Sequence, residues 1–132
     1  MKLITRDTDY ALRALCFIAK NKDKVTPAPE LVAKLKIPRP FLRKILQSLD
    51  KNGLLKSYKG KGGGFVMTLK PNKISILDVM RIFQGAFNLN ECLLNKHLCP
   101  DIRVCILKKK IDRIEKYVVS ELGSFKLAYL IE

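Results

Sequence analysis

The sequence predicts a mainly α fold of the α+β class: a winged helix-turn-helix domain followed by one long C-terminal helix. Three observations predict it. Two short helical segments are separated by an Ile-Pro break, a basic glycine-rich hairpin follows the second, and Leu107, Ile111, Ile114 and Val118 recur at helical spacing near the end of the chain.

The first element is a helix over Thr8–Lys20, apolar at Tyr10, Leu12, Leu15, Phe17 and Ile18 and dense enough to be buried on more than one side. Cys16 lies inside that run and reads as a small core residue. A loop through Lys22–Lys24 and the Thr26-Pro27-Ala28-Pro29 cluster comes next. Pro29 and Glu30 then suit the first turn of a short helix ending at Leu35. Lys36-Ile37-Pro38 breaks the chain, and Arg39-Pro40 opens a second helix, because a first-turn proline loses no hydrogen bond. This helix runs to Asn52, with Gly53 as its C-terminal stop. Phe41, Leu42, Ile45, Leu46 and Leu49 form its core stripe, and Arg39, Arg43, Lys44 and Gln47 its outward face.

In LLKSYKGKGGGFVMTLK, Leu55–Lys59 and Phe65–Leu69 are strand-like, and the glycine-rich segment 60–64 makes a tight tip. A capping-box-like Ser75 and Asp78 start a helix reaching about Gln84. The segment ECLLNKHLCPDIRVC follows as an irregular loop, and the long helix runs from about Ile102 to Leu122. Its apolar stripe is too long for the small domain to cover, so it is expected to pack on the same helix of a second subunit as the dimerisation helix; folding back on its own domain is the alternative. The resulting organisation is a DNA-binding domain at 1–85, a cysteine loop at 86–105, and a dimerisation helix with a C-terminal tail at 106–132.

Charge narrows the function. The 132 residues carry a formal +14. Residues 1–73 hold 17 Lys and Arg against 5 Asp and Glu, whereas residues 74–132 hold 9 against 7, so a polyanion is the expected partner of the first part. No charge-free apolar run approaches the roughly 20 residues of a membrane helix. Acidic residues stand in MKLITRDTDYALRAL where a secretory signal would be basic and then apolar, which points to the cytoplasm and to reduced thiols. An enzyme is not expected: no nucleophile–base pair stands out, and the glycines around Lys61 lack the GK[ST] pattern of a phosphate loop.

A helix fits the DNA major groove and meets base edges with its N-terminal residues. Arg39, Pro40, Arg43, Lys44 and Gln47 are so placed. Arg pairs bidentately with guanine and Gln with adenine, while Lys44 at the edge of the face suits phosphate equally well. At the wing, Lys59 and Lys61 flank glycines that let the backbone approach a phosphate or the minor groove.

Cys92, Cys99 and Cys105 follow a C-x6-C-x5-C spacing with His97, the single histidine, between the first two. Closely placed thiolates bind zinc or the iron of an iron–sulfur cluster. The gaps are wider than those of zinc knuckles, and a proline after a cysteine, as in Cys99-Pro100, also occurs in ferredoxin-type sites. A cluster, zinc and metal-free redox thiols all remain open on spacing alone.

TDYALRAL at the start, IPRPFLRKILQSLDKNGLL with KSYKGKGGGF in the middle, and three cysteines ahead of a long helix together resemble one family, the bacterial iron–sulfur regulators of the IscR and NsrR type. The resemblance covers nearly the whole chain. It implies a homodimeric winged-helix transcription regulator, a repressor acting on a palindromic double-stranded DNA operator, whose cysteines Cys92, Cys99 and Cys105 hold a [2Fe-2S] or [4Fe-4S] cluster. In the IscR branch the fourth ligand is a histidine three residues after the third cysteine, where this chain has Lys108. In the NsrR branch it is the aspartate of the T-D-Y motif, contributed across the dimer; Asp9 occupies that place, with His97 as runner-up. The signal implied is redox state, nitric oxide or iron supply. Two rivals stand beside this expectation: a thiol-based redox regulator without metal, and a nucleic-acid-binding module of the RNA class.

Overall fold

The computed structural model describes residues 2–21, 24–89 and 105–131. Helix α1 spans Arg6–Lys20 and starts two residues before the apolar pattern does, because Thr5 caps it: the Thr5 side-chain oxygen accepts from the Thr8 backbone N–H. Helices α2 (Ala28–Leu35) and α3 (Arg39–Lys51) each carry a proline in the first turn, where no intrahelical partner is lost. Between them Lys36 adopts a left-handed conformation, with φ 56°, and its N–H closes the last turn of α2 on the Val32 carbonyl at 3.0 Å. That residue redirects the chain, and the pair forms the expected helix-turn-helix. Gly53, at φ 81°, follows the end of α3.

Strands β1 (Leu55–Tyr58) and β2 (Gly64–Met67) pair antiparallel, with Leu55 opposite Met67 and Tyr58 opposite Gly64. Thr26 adds a separate bridge to β2: its N–H donates to the Phe65 carbonyl at 3.0 Å, and the Phe65 N–H donates back at 2.8 Å. The wing is thereby sewn to the loop between α1 and α2. A 3-10 turn at Pro71–Lys73 leads to α4 (Ile76–Gln84), whose capping box is complete: Asp78 N–H donates to Ser75 Oγ at 3.1 Å, and Ser75 N–H donates to Asp78 Oδ2 at 2.9 Å.

Helix α5 spans Ile106–Ser124 and contains no buried residue. The chain then turns back to end in a short helix, α6 (Ala128–Ile131), which the apolar pattern does not reveal. The return is held by backbone pairing, Ile76 N–H to the Phe125 carbonyl at 2.9 Å and Leu127 N–H to the Ile74 carbonyl at 2.8 Å, and it delivers Leu127 fully buried into the core. Leu15, Leu31, Leu42, Leu46, Leu49, Leu55, Ile74 and Met80 share that core.

One expected core residue lies elsewhere. Phe41 is 40% exposed, whereas Leu42, Ile45, Leu46 and Leu49 are all buried. It stands three residues before Lys44 and so lies at the edge of the apolar stripe rather than on it. No helix among the described residues is long and apolar enough to cross a membrane.

Candidate nucleic-acid interface and thiol segment

The buried stripe of α3 forces the opposite side outward. Arg39, Pro40, Arg43, Lys44 and Gln47 are all exposed, as are Lys59 and Lys61 at the wing. Among the described residues none of these cations forms a salt bridge; the ion pairs are Arg6–Asp7, Arg13–Asp9 and Lys108–Asp112. A cationic helix face and a cationic hairpin thus keep their charge available for a partner. Arg39, Arg43 and Gln47 also line a cleft of about 340 Å³ with Ala28, Pro29 and Phe65, which puts them on the α2 side of α3.

The wing tip depends on two glycines for steric reasons. A Cβ on Gly63 would stand 2.2 Å from the Tyr58 carbonyl oxygen, and one on Gly64 would stand 2.2 Å from that of Thr26. The backbone occupies the space a side chain needs, so the hairpin closes tightly and presents Lys59 and Lys61 at its end.

Of the thiol segment, Cys105 is described: a half-buried free thiol at the N-cap position of α5. Cys92, Cys99 and His97 lie outside the described residues. Asp9 sits in the first turn of α1, half-exposed, where Arg13 Nε donates to its Oδ2 at 3.1 Å. The fourth cysteine, Cys16, packs against the core; burial pushes its thiol up from the ordinary range, opposed in smaller part by the nearby Lys20 ammonium.

Two side chains here, Gln84 and Arg6, carry contacts that the sequence pattern does not mark. Gln84, the last residue of α4, grips the start of α1: its Oε1 accepts from the Thr5 N–H at 3.1 Å and the Thr8 hydroxyl at 2.6 Å, and its Nε2 donates to the Leu3 carbonyl at 3.1 Å. Arg6 lies over the ring of Phe41, 4.4 Å from its centroid, and so joins the beginning of α1 to the beginning of α3. A polar residue ending an apolar helix was the available signal for Gln84. The Arg6–Phe41 pair spans two distant segments and leaves no local pattern.

The chain matches the Rrf2 family model, described as "Iron-dependent Transcriptional regulator", over residues 4–132. It is 37% identical over 111 residues to a sequence of Aquifex aeolicus (strain VF5) named as an HTH-type transcriptional regulator, covering 83% of this chain and 77% of that one. It is 31% identical over 134 residues to the HTH-type transcriptional regulator NsrR of Bacillus subtilis (strain 168), covering 100% and 91%. In fold it is similar to CymR, the global cysteine regulator of B. subtilis, with a TM-score of 0.80 at 23% identity over 99% of this chain and 97% of that one. IscR of T. potens gives 0.76 at 20% identity over 99% and 86%. These relatives are regulators and not enzymes, and the chain belongs to the Rrf2 family of transcriptional regulators.

Proposed function

We propose that the protein is a homodimeric repressor that reads a palindromic operator with α3 and senses redox state, nitric oxide or iron supply through an iron–sulfur cluster. The observation that carries the DNA part is the free cationic face of α3 beside the cationic wing. Arg39, Pro40, Arg43, Lys44 and Gln47 enter the major groove, and Lys59 and Lys61 take the backbone or minor groove. The division of labour follows the chain: 1–85 binds DNA, 86–105 holds the cofactor and 106–132 carries the dimerisation helix and tail.

The donor set suits a cluster. Cys92, Cys99 and Cys105 supply soft thiolates, and the partner subunit's Asp9 supplies a carboxylate oxygen; His97 is the alternative fourth ligand. A bound [2Fe-2S] or [4Fe-4S] cluster supplies iron that reacts with oxidants and nitric oxide. Cys105 fits as a ligand because its thiol is free and half-buried at the N-cap position of α5, next to the cysteine loop. Asp9 fits because its carboxylate is half-exposed and, among the described residues, is paired with Arg13, which it can share or release.

The chain's own contacts would carry the signal. Gln84, just before the cysteine loop, ties the end of α4 to the start of α1, and the Leu89 N–H, near the beginning of that loop, donates to Glu115 Oε1 of α5 at 3.0 Å, so the entry to the loop is anchored to both α1 and α5. A change of order in the loop shifts those anchors and with them the spacing of the two recognition helices, which operator half-sites about 34 Å apart tolerate in one arrangement.

Purification without oxygen, with iron and sulfide analysis, tests the cofactor. Brown protein is expected, with the visible absorption lost in Cys92→Ala, Cys99→Ala or Cys105→Ala. Colourless protein with stoichiometric zinc overturns the cluster, and peroxide-responsive DNA binding by metal-free protein would replace it with thiol regulation. Selection from mixed random DNA and RNA duplexes tests the partner. Arg43→Ala should change preference at one base position, and Lys61→Ala should weaken all duplexes alike.

A further inference from the structure

The geometry points to Arg6 as a further DNA contact: held over Phe41 at the edge of α3, its guanidinium takes a backbone phosphate beside the bases that α3 reads. The inference rests on the DNA-binding function proposed above and extends it to a helix outside the helix-turn-helix pair.

Two facts carry it. Arg6 is the first residue of α1, and its guanidinium lies 4.4 Å from the ring centroid of Phe41, in the first turn of α3. Phe41 is a large apolar side chain left 40% exposed in a helix whose other apolar residues are buried. An exposed aromatic ring on a recognition helix has two uses, to meet a thymine methyl or to serve as a shelf. Here one face of the ring is taken by Arg6, which leaves the shelf. Stacking holds a side chain that otherwise carries about 2 kcal/mol of rotamer entropy, so less order has to be imposed when an anion arrives.

Position decides which anion. Phe41 precedes Lys44 by three residues, so Arg6 extends the basic face on the Lys44 side, while Arg39, Arg43 and Gln47 line the cleft toward α2 on the other. In a helix-turn-helix complex the elements flanking the recognition helix cross the phosphate backbone rather than the base edges. A planar guanidinium donates two parallel hydrogen bonds to such a phosphate. Asp7 is the acidic neighbour, with its Oδ1 3.6 Å from Arg6 Nε in an exposed pair. So weak a pair yields readily to a phosphate.

The test uses full-length protein and a duplex enriched from a random pool by the wild type, with affinity measured by fluorescence anisotropy across a salt series. Arg6→Ala is expected to lower affinity on the order of tenfold on every duplex and to reduce the slope of log affinity against log salt by about 2, one phosphate per protomer. Phe41→Leu keeps the charge but removes the shelf, so affinity should fall severalfold with the slope retained. Arg6→Lys, which does not stack equally well, should fall between the two. Lys73→Ala, an exposed cation in the 3-10 turn to which no DNA contact is assigned, serves as the control and should bind as wild type.

An Arg6→Ala protein with unchanged affinity and slope overturns the assignment while the DNA-binding function stands. Full affinity in both Phe41→Leu and Arg6→Lys overturns the role of the stack. A wild-type protein that enriches no duplex removes the DNA-binding function and the Arg6 contact together. Thermal melts of each variant separate lost folding from lost contact, and a variant that melts early is replaced in the comparison by Arg6→Gln.

Discussion

Thr8, buried in the first turn of α1, donates its hydroxyl hydrogen bond to Gln84 Oε1 at 2.6 Å. The same oxygen accepts from the Thr5 N–H, so one amide ties the start of α1, with Asp9 one residue on, to the end of α4, where the cysteine loop begins. Replacing Gln84 by Leu would remove the acceptor that the Thr5 N–H and the buried Thr8 hydroxyl share, leaving the hydroxyl its 3.1 Å contact with Thr5 Oγ1. A polar group that loses its acceptor in this way costs about 1–3 kcal/mol. Urea unfolding of metal-free Gln84→Leu should show a loss of about 2 kcal/mol, and Thr8→Val, which removes one donor and keeps the acceptor partly satisfied, about half of that. Stability equal to wild type in Gln84→Leu would mean that water replaces the amide at this junction.

The helix-turn-helix and wing were legible because each rests on local chemistry. Proline placement opens α2 and α3, the leucine and isoleucine spacing fixes the inner face of α3, and glycines mark the turn between the strands. The C-terminal return was not legible: Leu127 is buried because backbone pairing with Ile74 carries it there, and the three residues between the last two helices, Phe125, Lys126 and Leu127, are too few to announce such a pairing. Phe41 reads as core in the sequence yet stands exposed in the fold, because counting apolar residues along a stripe cannot tell its edge from its middle. The outward arginines and lysines were legible as a face, whereas the Arg6 contact and the Gln84 junction join segments far apart in sequence.

Gly64 links the wing to the rest of the domain. An added Cβ would meet the Thr26 carbonyl oxygen at 2.2 Å, with the Thr26 carbonyl carbon and the Pro27 nitrogen also within 2.8 Å. All three are backbone atoms and cannot step aside singly. Gly64→Ala should therefore break the Thr26–Phe65 bridge and cost about 3 kcal/mol. Gly62, at φ 79° with open space around its Cβ position, should cost only about 1 kcal/mol on the same substitution. Paired thermal melts check the contrast, and equal losses would show that the wing is not held by the Thr26 bridge.

Lys36 is the one described non-glycine residue at positive φ, and its side chain is exposed. A left-handed conformation costs an L-residue about 1–2 kcal/mol, while glycine adopts it freely at the expense of a more flexible unfolded chain. The first effect exceeds the second, so Lys36→Gly should stabilise the protein by about 0.5–1 kcal/mol in urea unfolding. A loss of stability would place a favourable contact on the Lys36 side chain that outweighs its backbone strain.

Helix α5 exposes Ile106 at 83%, Leu107 at 66%, Ile114 at 44% and Tyr117 at 66%, and it buries none of its own residues within the protomer. An apolar row of this kind on a 19-residue helix is what a second copy of the helix would cover in the proposed homodimer. Leu107 and Ile114 stand seven residues apart and so share one side of the helix. Leu107→Glu combined with Ile114→Glu should convert a dimer to a monomer in sedimentation-velocity runs, because four carboxylates would otherwise be buried in one seam without partners. The protomer core contains neither residue, so far-ultraviolet circular dichroism should keep its helical signal. Operator binding should fall by orders of magnitude, since a monomer engages each half-site independently. A double variant that still sediments as a dimer would move the subunit contact to another face of the protein.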